Sequence, residues 1–486
     1  MRVGLALGMI VSSALVLHCR IAAGNPAGPQ PQDPRGPDET RTVEVGDLGK
    51  RIVELARNAE AAGFSGAVLA AKGGKVIAAV GVGSADPDGK IPNTPATLFE
   101  IASATKPFTA VAILRLVQDG KVKLDDPIAK HLPGVPEDCK GITVRHLLQH
   151  TSGIPGANSQ GAGTDLARVL PFFLRGGPQR PPGTKWEYWN QGYSLASEVI
   201  ARASKQSYVR FCKESIFAPA KMDSTRFTGD KPPAGTTVAV GQSVRGAARS
   251  ALEHPYGKEY GYQYRGMGGL VTSVWDLWRW DRALRGVDLL SEASKAEMFK
   301  PGPGDYGLGW FVRKNAQGKL VQFHSGGVRG FNADVRRYPD DDACLFVLSN
   351  RDDGSLHAVS QGVEQLLFGG RPSADGTPGG RPSVKGAAPL DAKLAKAIAG
   401  RYKDQRGAIL TIAQSGKAVT VRIDWYANGP VTRCTLGLDA KGEVNLVEST
   451  GMTKIDVERE ENGAVNNISI GNRKYVRQRA AASRPK

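Results

Sequence analysis

The sequence predicts a mixed α/β fold of the α+β type: an antiparallel sheet flanked by helices, followed by a small C-terminal all-β domain. Three observations carry this. Leu48, Ile52, Val53, Leu55, Ala56 and Ala59 trace an amphipathic helix that stops near Gly63. Two apolar runs follow, residues 65–72 and 75–82, split by Gly73-Gly74, which is a hairpin signal. Towards the other end, short β-type runs recur at 409–412, 419–423, 431–436, 444–447, 455–457 and 468–470. These predict a small antiparallel barrel or sandwich.

With 486 residues, the chain is long enough for two or three domains and a sizeable core. Hydrophobic residues make up 41%. The formal charge of +17 is spread along the chain, with no basic helix or aromatic-basic repeat, so nucleic acid is not expected as a partner. Met1-Arg2 and the apolar run 3–17 read as an export signal, with small residues Ala22, Ala23 and Gly24 as its cleavage zone. Cys19 raises a lipoprotein alternative, but His18 stands where such signals want a small residue. No later segment is long and apolar enough for a membrane helix. The expected location is therefore exported, periplasmic or secreted. The expected partition is a signal at 1–24, a disordered Pro/Gly-rich tether at 25–41 and a principal domain at 42–368. A linker at 369–389, the β domain at 390–478 and a disordered tail at 479–486 complete it.

The chemistry is concentrated around residues 99–107. Ser103 and Lys106 stand three residues apart at the head of an apolar helix continued by Ala110, Val111, Ile113, Leu114 and Val117. Residues i and i+3 share a helix face, so Lys106 can reach Ser103. A serine hydroxyl needs an adjacent base to become a nucleophile, and a desolvated lysine can serve. Pro107 suits the first helical turn. Read alone, the pair is better explained as an N-cap serine beside a solvated lysine, and the rest of the chain is needed to favour catalysis.

Other residues narrow the choice. Tyr188 and Asn190 flank one residue in a loop; a phenol can shuttle a proton and an amide can bind a carbonyl. The competing reading is a buried aromatic turn. His146 and His150 are four apart, but no carboxylate lies between them as a zinc H-E-x-x-H site requires. They read instead as a helix terminus closed by Ser152-Gly153, and no metal or other cofactor is expected. Gly266, Gly268 and Gly269 read as close backbone packing, since no P-loop lysine follows. The segments 306–312 and 321–324 predict successive strands, followed by Ser325-Gly326-Gly327 and strands at 333–338 and 344–348. Cys139, Cys212, Cys344 and Cys434 form no C-x-x-C pair and read as mostly free thiols. No G-x-S-x-G elbow is present, which argues against an α/β-hydrolase.

Taken in order, Ser103-x-x-Lys106, Tyr188-x-Asn190 and His324-Ser325-Gly326 resemble the serine β-lactamase and penicillin-binding superfamily, in its class C β-lactamase-like branch. The stretches 145–153 and 268–270 are similar to that family too. The resemblance covers roughly residues 48–368. It implies a β-lactamase-like sheet with an all-helical subdomain, and an acyl-enzyme mechanism. Ser103 would attack a carbonyl, and Lys106 and Tyr188 would share the base and proton-shuttle work. Asn190, His324, Ser325 and Gly326 would bind substrate. The backbone N–H groups of Ser103 and Gly327 would form the oxyanion hole. His324 stands where β-lactamases usually carry a lysine, so carboxylate recognition would be weaker or pH-dependent. Trp189 is bulkier than the usual small residue and is expected to point into the core. The implied activity is hydrolysis of a small ester or amide, of peptide or β-lactam type, with peptidoglycan as a candidate partner. A catalytically silent binder of cell-wall peptides or β-lactams is the alternative from another class.

Overall fold

The computed structural model describes residues 38–155, 163–243, 246–369, 390, 392–404, 409–415, 418–424, 431–438, 444–448, 451–459, 465–470 and 473–478. The expected signal, most of the tether, nearly all of the linker and the tail lie outside them.

β1 (Val43–Glu44) and α1 (Gly46–Ala61) lead into the hairpin of β2 (Gly66–Lys72) and β3 (Lys75–Val82). Gly73 and Gly74 have φ of +57° and +71°, the left-handed pair that a two-residue hairpin turn demands. β4 (Phe99–Glu100) enters a tight turn at residues 102–105 and then α2 (Lys106–Gln118). The helices α3 (Val144–Leu148), α4 (Leu166–Phe173), α5 (Asn190–Ser204) and α6 (Tyr208–Cys212) follow. Short strands β5 (Arg226–Phe227), β6 (Val240–Ser243), β7 (Gly246–Ser250) and β8 (Leu270–Thr272) come next, then α7 (Val274–Arg285) and α8 (Glu292–Phe299). The chain returns to the sheet through β9 (Phe311–Lys314), β10 (Leu320–Val328), β11 (Phe331–Tyr338) and β12 (Ala343–Ser349), and α9 (Ser355–Leu367) follows.

The sheet has seven antiparallel strands in the order β1-β3-β2-β12-β11-β10-β9. Its two faces are sorted by the period of two. Ala67, Leu69, Cys344, Phe346 and Leu348 join the core shared with α2 and α5. Val68, Ala70, Leu345 and Val347 face the opposite way, against Ile52 and Val53 of α1 and Val359 and Val363 of α9. With both faces covered, the central strands read as unbroken apolar runs. Over residues 106–114 α2 is buried on every side, as expected of a helix stretch that is apolar all round. Its Phe108 ring stacks on Trp280 with centroids 3.9 Å apart, and Trp280 stacks in turn on Trp310.

Beyond α9, α10 (Ala392–Ile398) precedes eight strands: β13 (Gly400–Asp404), β14 (Ile409–Ser415), β15 (Ala418–Asp424), β16 (Val431–Leu438), β17 (Val444–Glu448), β18 (Gly451–Arg459), β19 (Val465–Ile470) and β20 (Arg473–Arg477). β13 pairs with β20, closing a barrel. Tyr402, Leu410, Ile412, Val421, Ile468 and Tyr475 are buried in its core.

Four local differences from the sequence reading matter. Ser103 lies in a 3-10 turn, and the α-helix begins only at Lys106. Residues 306–310 are not strand, and β10 runs on through Ser325-Gly326-Gly327. α5 begins at Asn190 rather than near 194. The closing strands β13 and β20 are invisible to the pattern because their residues are rich in lysine and arginine.

β10 passes directly beside the nucleophile turn. A Cβ at Gly326 would lie 2.0 Å from the Ile101 carbonyl oxygen and 3.0 Å from the Ser103 nitrogen, whereas one at Gly327 would meet only the Asn332 Oδ1, at 3.1 Å. Gly326→Ala is therefore expected to cost roughly 1–3 kcal/mol and to push strand and turn apart. Gly327→Ala should be much milder. Paired thermal melts of the two variants check this; equal losses would refute the close-approach reading.

Candidate active site

Ser103 opens towards Lys106 across the 3-10 turn, with Lys106 Nζ donating to its Oγ at 3.2 Å. Residues i and i+3 eclipse in a 3-10 turn, so the predicted encounter is met by a different local geometry. The turn is entered through Ala102 at φ +46°, a left-handed conformation that a residue with a Cβ rarely adopts. Lys106 has no exposed surface. Its second hydrogen bond goes to the Met267 carbonyl at 3.1 Å. Burial drives the amine well below its ordinary value, and no carboxylate contributes to that shift.

The Met267 carbonyl is presented by the glycine-rich segment 266–269. Cβ atoms at Gly266, Gly268 and Gly269 would lie 2.3–2.4 Å from the Tyr193 carbonyl, the Tyr264 ring and the Tyr260 ring. The expectation of close backbone packing holds, and its purpose is to bring a carbonyl to the lysine.

The Tyr188 phenol interacts with Ser103, and Lys106 Nζ lies 4.8 Å from the centroid of its ring. Burial raises the phenol above its ordinary value, so it stays protonated at neutral pH. Asn190 is the first residue of α5 and is partly buried. Between them Trp189 is buried in the core, its ring packed on Gly192. This agrees with the expected inward orientation.

His324 on β10 is 2% exposed. Its Nδ1 lies 2.6 Å from the Ser325 carbonyl and its Nε2 lies 3.0 Å from the Tyr306 hydroxyl. A carbonyl only accepts, so Nδ1 carries the proton and Nε2 accepts from Tyr306. Burial first, then the charge of Lys106, push His324 down to about 3. The expectation that it titrates near neutrality is thereby corrected: the ring is neutral throughout the physiological range. Ser325 and Gly327 are exposed beside it, while Gly326 is half-buried against Ile101.

Three residues escape the sequence reading. The pattern puts Tyr306 in a strand, but it lies buried beside His324 and His150. Tyr193 donates its hydroxyl to the Leu148 carbonyl at 2.6 Å, and Lys106 Nζ lies 5.5 Å from its ring centroid. His150 follows α3 at φ +57° and packs against Tyr188, Tyr193 and Tyr306. His146 turns away from it and accepts from the Thr143 N–H to cap α3. Among the described residues no cluster could hold a metal ion. Histidine after an apolar helix end is the one available signal, and by itself it marks only a terminus.

The neutral histidines carry a stability consequence. Between pH 6.5 and about 3 the unfolded chain binds a proton at residue 324 and the folded chain does not. The contribution of this group is therefore complete above pH 6.5 and falls on acidification, by roughly 1.4 kcal/mol per pH unit. Urea unfolding at stepped pH should show a slope that includes this contribution, and His324→Gln should lower it by about that amount, leaving the part from His150. An unchanged slope in the variant would contradict the assignment.

A family model described as Beta-lactamase matches residues 53–366. Penicillin-binding protein 4* of Bacillus subtilis (strain 168) is 34% identical over 333 residues, covering 63% of this chain and 73% of that protein. The putative penicillin-binding protein PbpX of the same strain is 33% identical over 310 residues, covering 63% and 75%. D-amino acid amidase from Ochrobactrum anthropi SV3, solved with D-phenylalanine, superposes with a TM-score of 0.57 at 26% identity, over 66% of this chain and 98% of that one. The octameric penicillin-binding protein homologue from Pyrococcus abyssi shares the fold, with a TM-score of 0.59 at 24% identity over 89% and 99%. The matched span contains the turn, the lysine and the strand just described, and the chain belongs to the Beta-lactamase family, within the superfamily of serine hydrolases and penicillin-binding proteins.

Proposed function

We propose that this chain is an exported hydrolase that cleaves small amides or esters through an acyl-enzyme on Ser103. A buried lysine amine with no carboxylate partner among the described residues, 3.2 Å from a serine hydroxyl, carries the reading. Depressed by burial, Lys106 is a free amine at a pH where an ordinary lysine is charged, and a free amine can accept a proton. Tyr188, raised instead, is a poor phenolate but a good relay, since its O–H can give and take a proton in one step. Lys106 is thus the base, and Tyr188 passes the proton to the leaving group.

As Ser103 Oγ attacks, the carbonyl oxygen gains charge. The N–H groups of Ser103 and Gly327 are the donors for it; one such donor is worth roughly 3–4 kcal/mol in hydrolases. Asn190 and the β10 edge at Ser325 hold the substrate backbone. Water then releases the acyl group, with the same base deprotonating it.

For the substrate, the leading class is an amide or peptide of a D-amino acid, with simple esters next. The amidase bound to D-phenylalanine and the penicillin-binding relatives support this choice. Neutral His324 supplies no cation for a substrate carboxylate, which weighs against efficient β-lactam turnover. Peptidoglycan-derived peptides fit the same class.

Incubation with D-phenylalanine amide should release ammonia, with the L-isomer slower, and brief mixing with a penicillin should add one drug mass. Ser103→Ala should lose both while melting like the parent; activity retained in that variant would sink the assignment. Lys106→Ala and Tyr188→Phe should each lower the acylation rate by about 10²- to 10⁴-fold. In the wild type the rate should rise with pH through a Lys106 inflection placed below the ordinary lysine range, with none near 6.5 from His324. A profile with no inflection below the ordinary lysine range, or one unchanged in Lys106→Ala, would overturn these roles.

A further inference from the structure

We infer that His150 is a positioning residue, which holds the Tyr188 phenol at Ser103 by gripping the backbone N–H groups of the two residues that flank it. The inference rests on the acyl-enzyme reading above and adds a residue to it. The Glu187 N–H donates to the His150 carbonyl at 2.8 Å. The Trp189 N–H donates to the His150 Nδ1 at 3.1 Å. Residue 188 is therefore bracketed by two hydrogen bonds to one residue. The imidazole itself lies against the Tyr188 ring, with centroids 4.3 Å apart.

Three further features fit this role. His150 is 1% exposed, and its Nε2 has no hydrogen-bond partner among the described residues, so the bond through Nδ1 is the ring's polar tether. A ring can accept at Nδ1 only when it is neutral there. Burial keeps it neutral. Finally, the left-handed φ of +57° bends the chain after α3, which lets carbonyl and side chain reach the same segment. Such a backbone is costly for most residues and persists where something else requires it.

The two hydrogen bonds can be separated. The carbonyl bond survives any side-chain change. His150→Gly removes acceptor and ring and relieves the left-handed backbone. His150→Asn tolerates the same backbone and restores an acceptor, since Asn Oδ1 occupies the place of Nδ1. His150→Phe restores the ring without the acceptor. Each is mixed with p-nitrophenyl acetate, and the acylation rate at saturation and the half-saturation concentration are measured separately, with Ser103→Ala as the blank. Near-UV circular dichroism checks the fold.

Misplacing a reacting group by about 1 Å costs on the order of 10²-fold, so His150→Gly is expected to lose about that factor in rate with half-saturation little changed. His150→Asn should recover to within about fivefold of wild type. His150→Phe should stay near the glycine variant. Asparagine no better than glycine, or phenylalanine as good as asparagine, overturns the inference and leaves His150 a packing residue. If the phenylalanine variant does not fold, the glycine–asparagine comparison decides alone. Wild type that acquires no acetyl group at Ser103 would instead defeat the acyl-enzyme reading, and the inference with it.

Discussion

A lysine amine held out of water, with only neutral acceptors beside it, is the constraint that the rest of this structure serves. Burying an ammonium is expensive, and the usual remedy is a carboxylate partner or loss of the proton. Here the partners are a serine hydroxyl and a backbone carbonyl, so the second route is taken. Keeping that environment dry takes most of a helix: residues 106–114 of α2 are buried on every side, and Phe108, Trp280 and Trp310 form a stacked column in the same core. Keeping it neutral takes distance from carboxylates. The buried Glu100, three residues before Ser103, is paired with Arg249 and accepts from Tyr264. Arg249 also donates to the Arg329 carbonyl at 3.3 Å, in the turn that follows β10. One guanidinium thus links the strand entering the nucleophile turn to the strand that passes beside it.

Elsewhere the fold concentrates charge where it stitches layers together. Asp281 of α7 is fully buried; burial opposes its charge, yet Arg337 first, then Arg285 and Arg282, hold it below its usual carboxylate range. Arg337 reaches across to Gln322 at 2.7 Å, so α7, β11 and β10 are joined through one ionised group. Removing one partner of such a cluster leaves an uncompensated charge, which is far more damaging than the cluster is stabilising.

Much of this is legible in the sequence because the signals are local. The Gly73-Gly74 hairpin, the apolar strands at 344–348 and 66–72, and the Ser103–Lys106 spacing depend on neighbours in the chain. The glycines at 266–269 announce close packing, but not that it delivers the Met267 carbonyl to Lys106. What stays hidden is set by tertiary contact. His324 is expected to titrate near neutrality only because a sequence carries no burial. Tyr306, Tyr193 and His150 lie far apart in the chain and look like ordinary residues until the fold packs Tyr188, Tyr193 and Tyr306 around His150. The strands β13 and β20 fail the pattern test because barrel closure, rather than β propensity, makes them strands.

The two ends of the seven-stranded sheet have a consequence for how the protein behaves in company. One end is β1, only two residues long, and the other is β9, four residues long and finishing in Arg313 and Lys314. Open edges invite a second chain to add a strand, and short, charged edges discourage it. The barrel offers no edge at all, since its first and last strands pair with each other. Among the described residues, then, neither β structure presents a long, flat, uncharged row of free backbone groups. Ordered strand exchange or fibril-like stacking between copies has little to start from while both units stay folded.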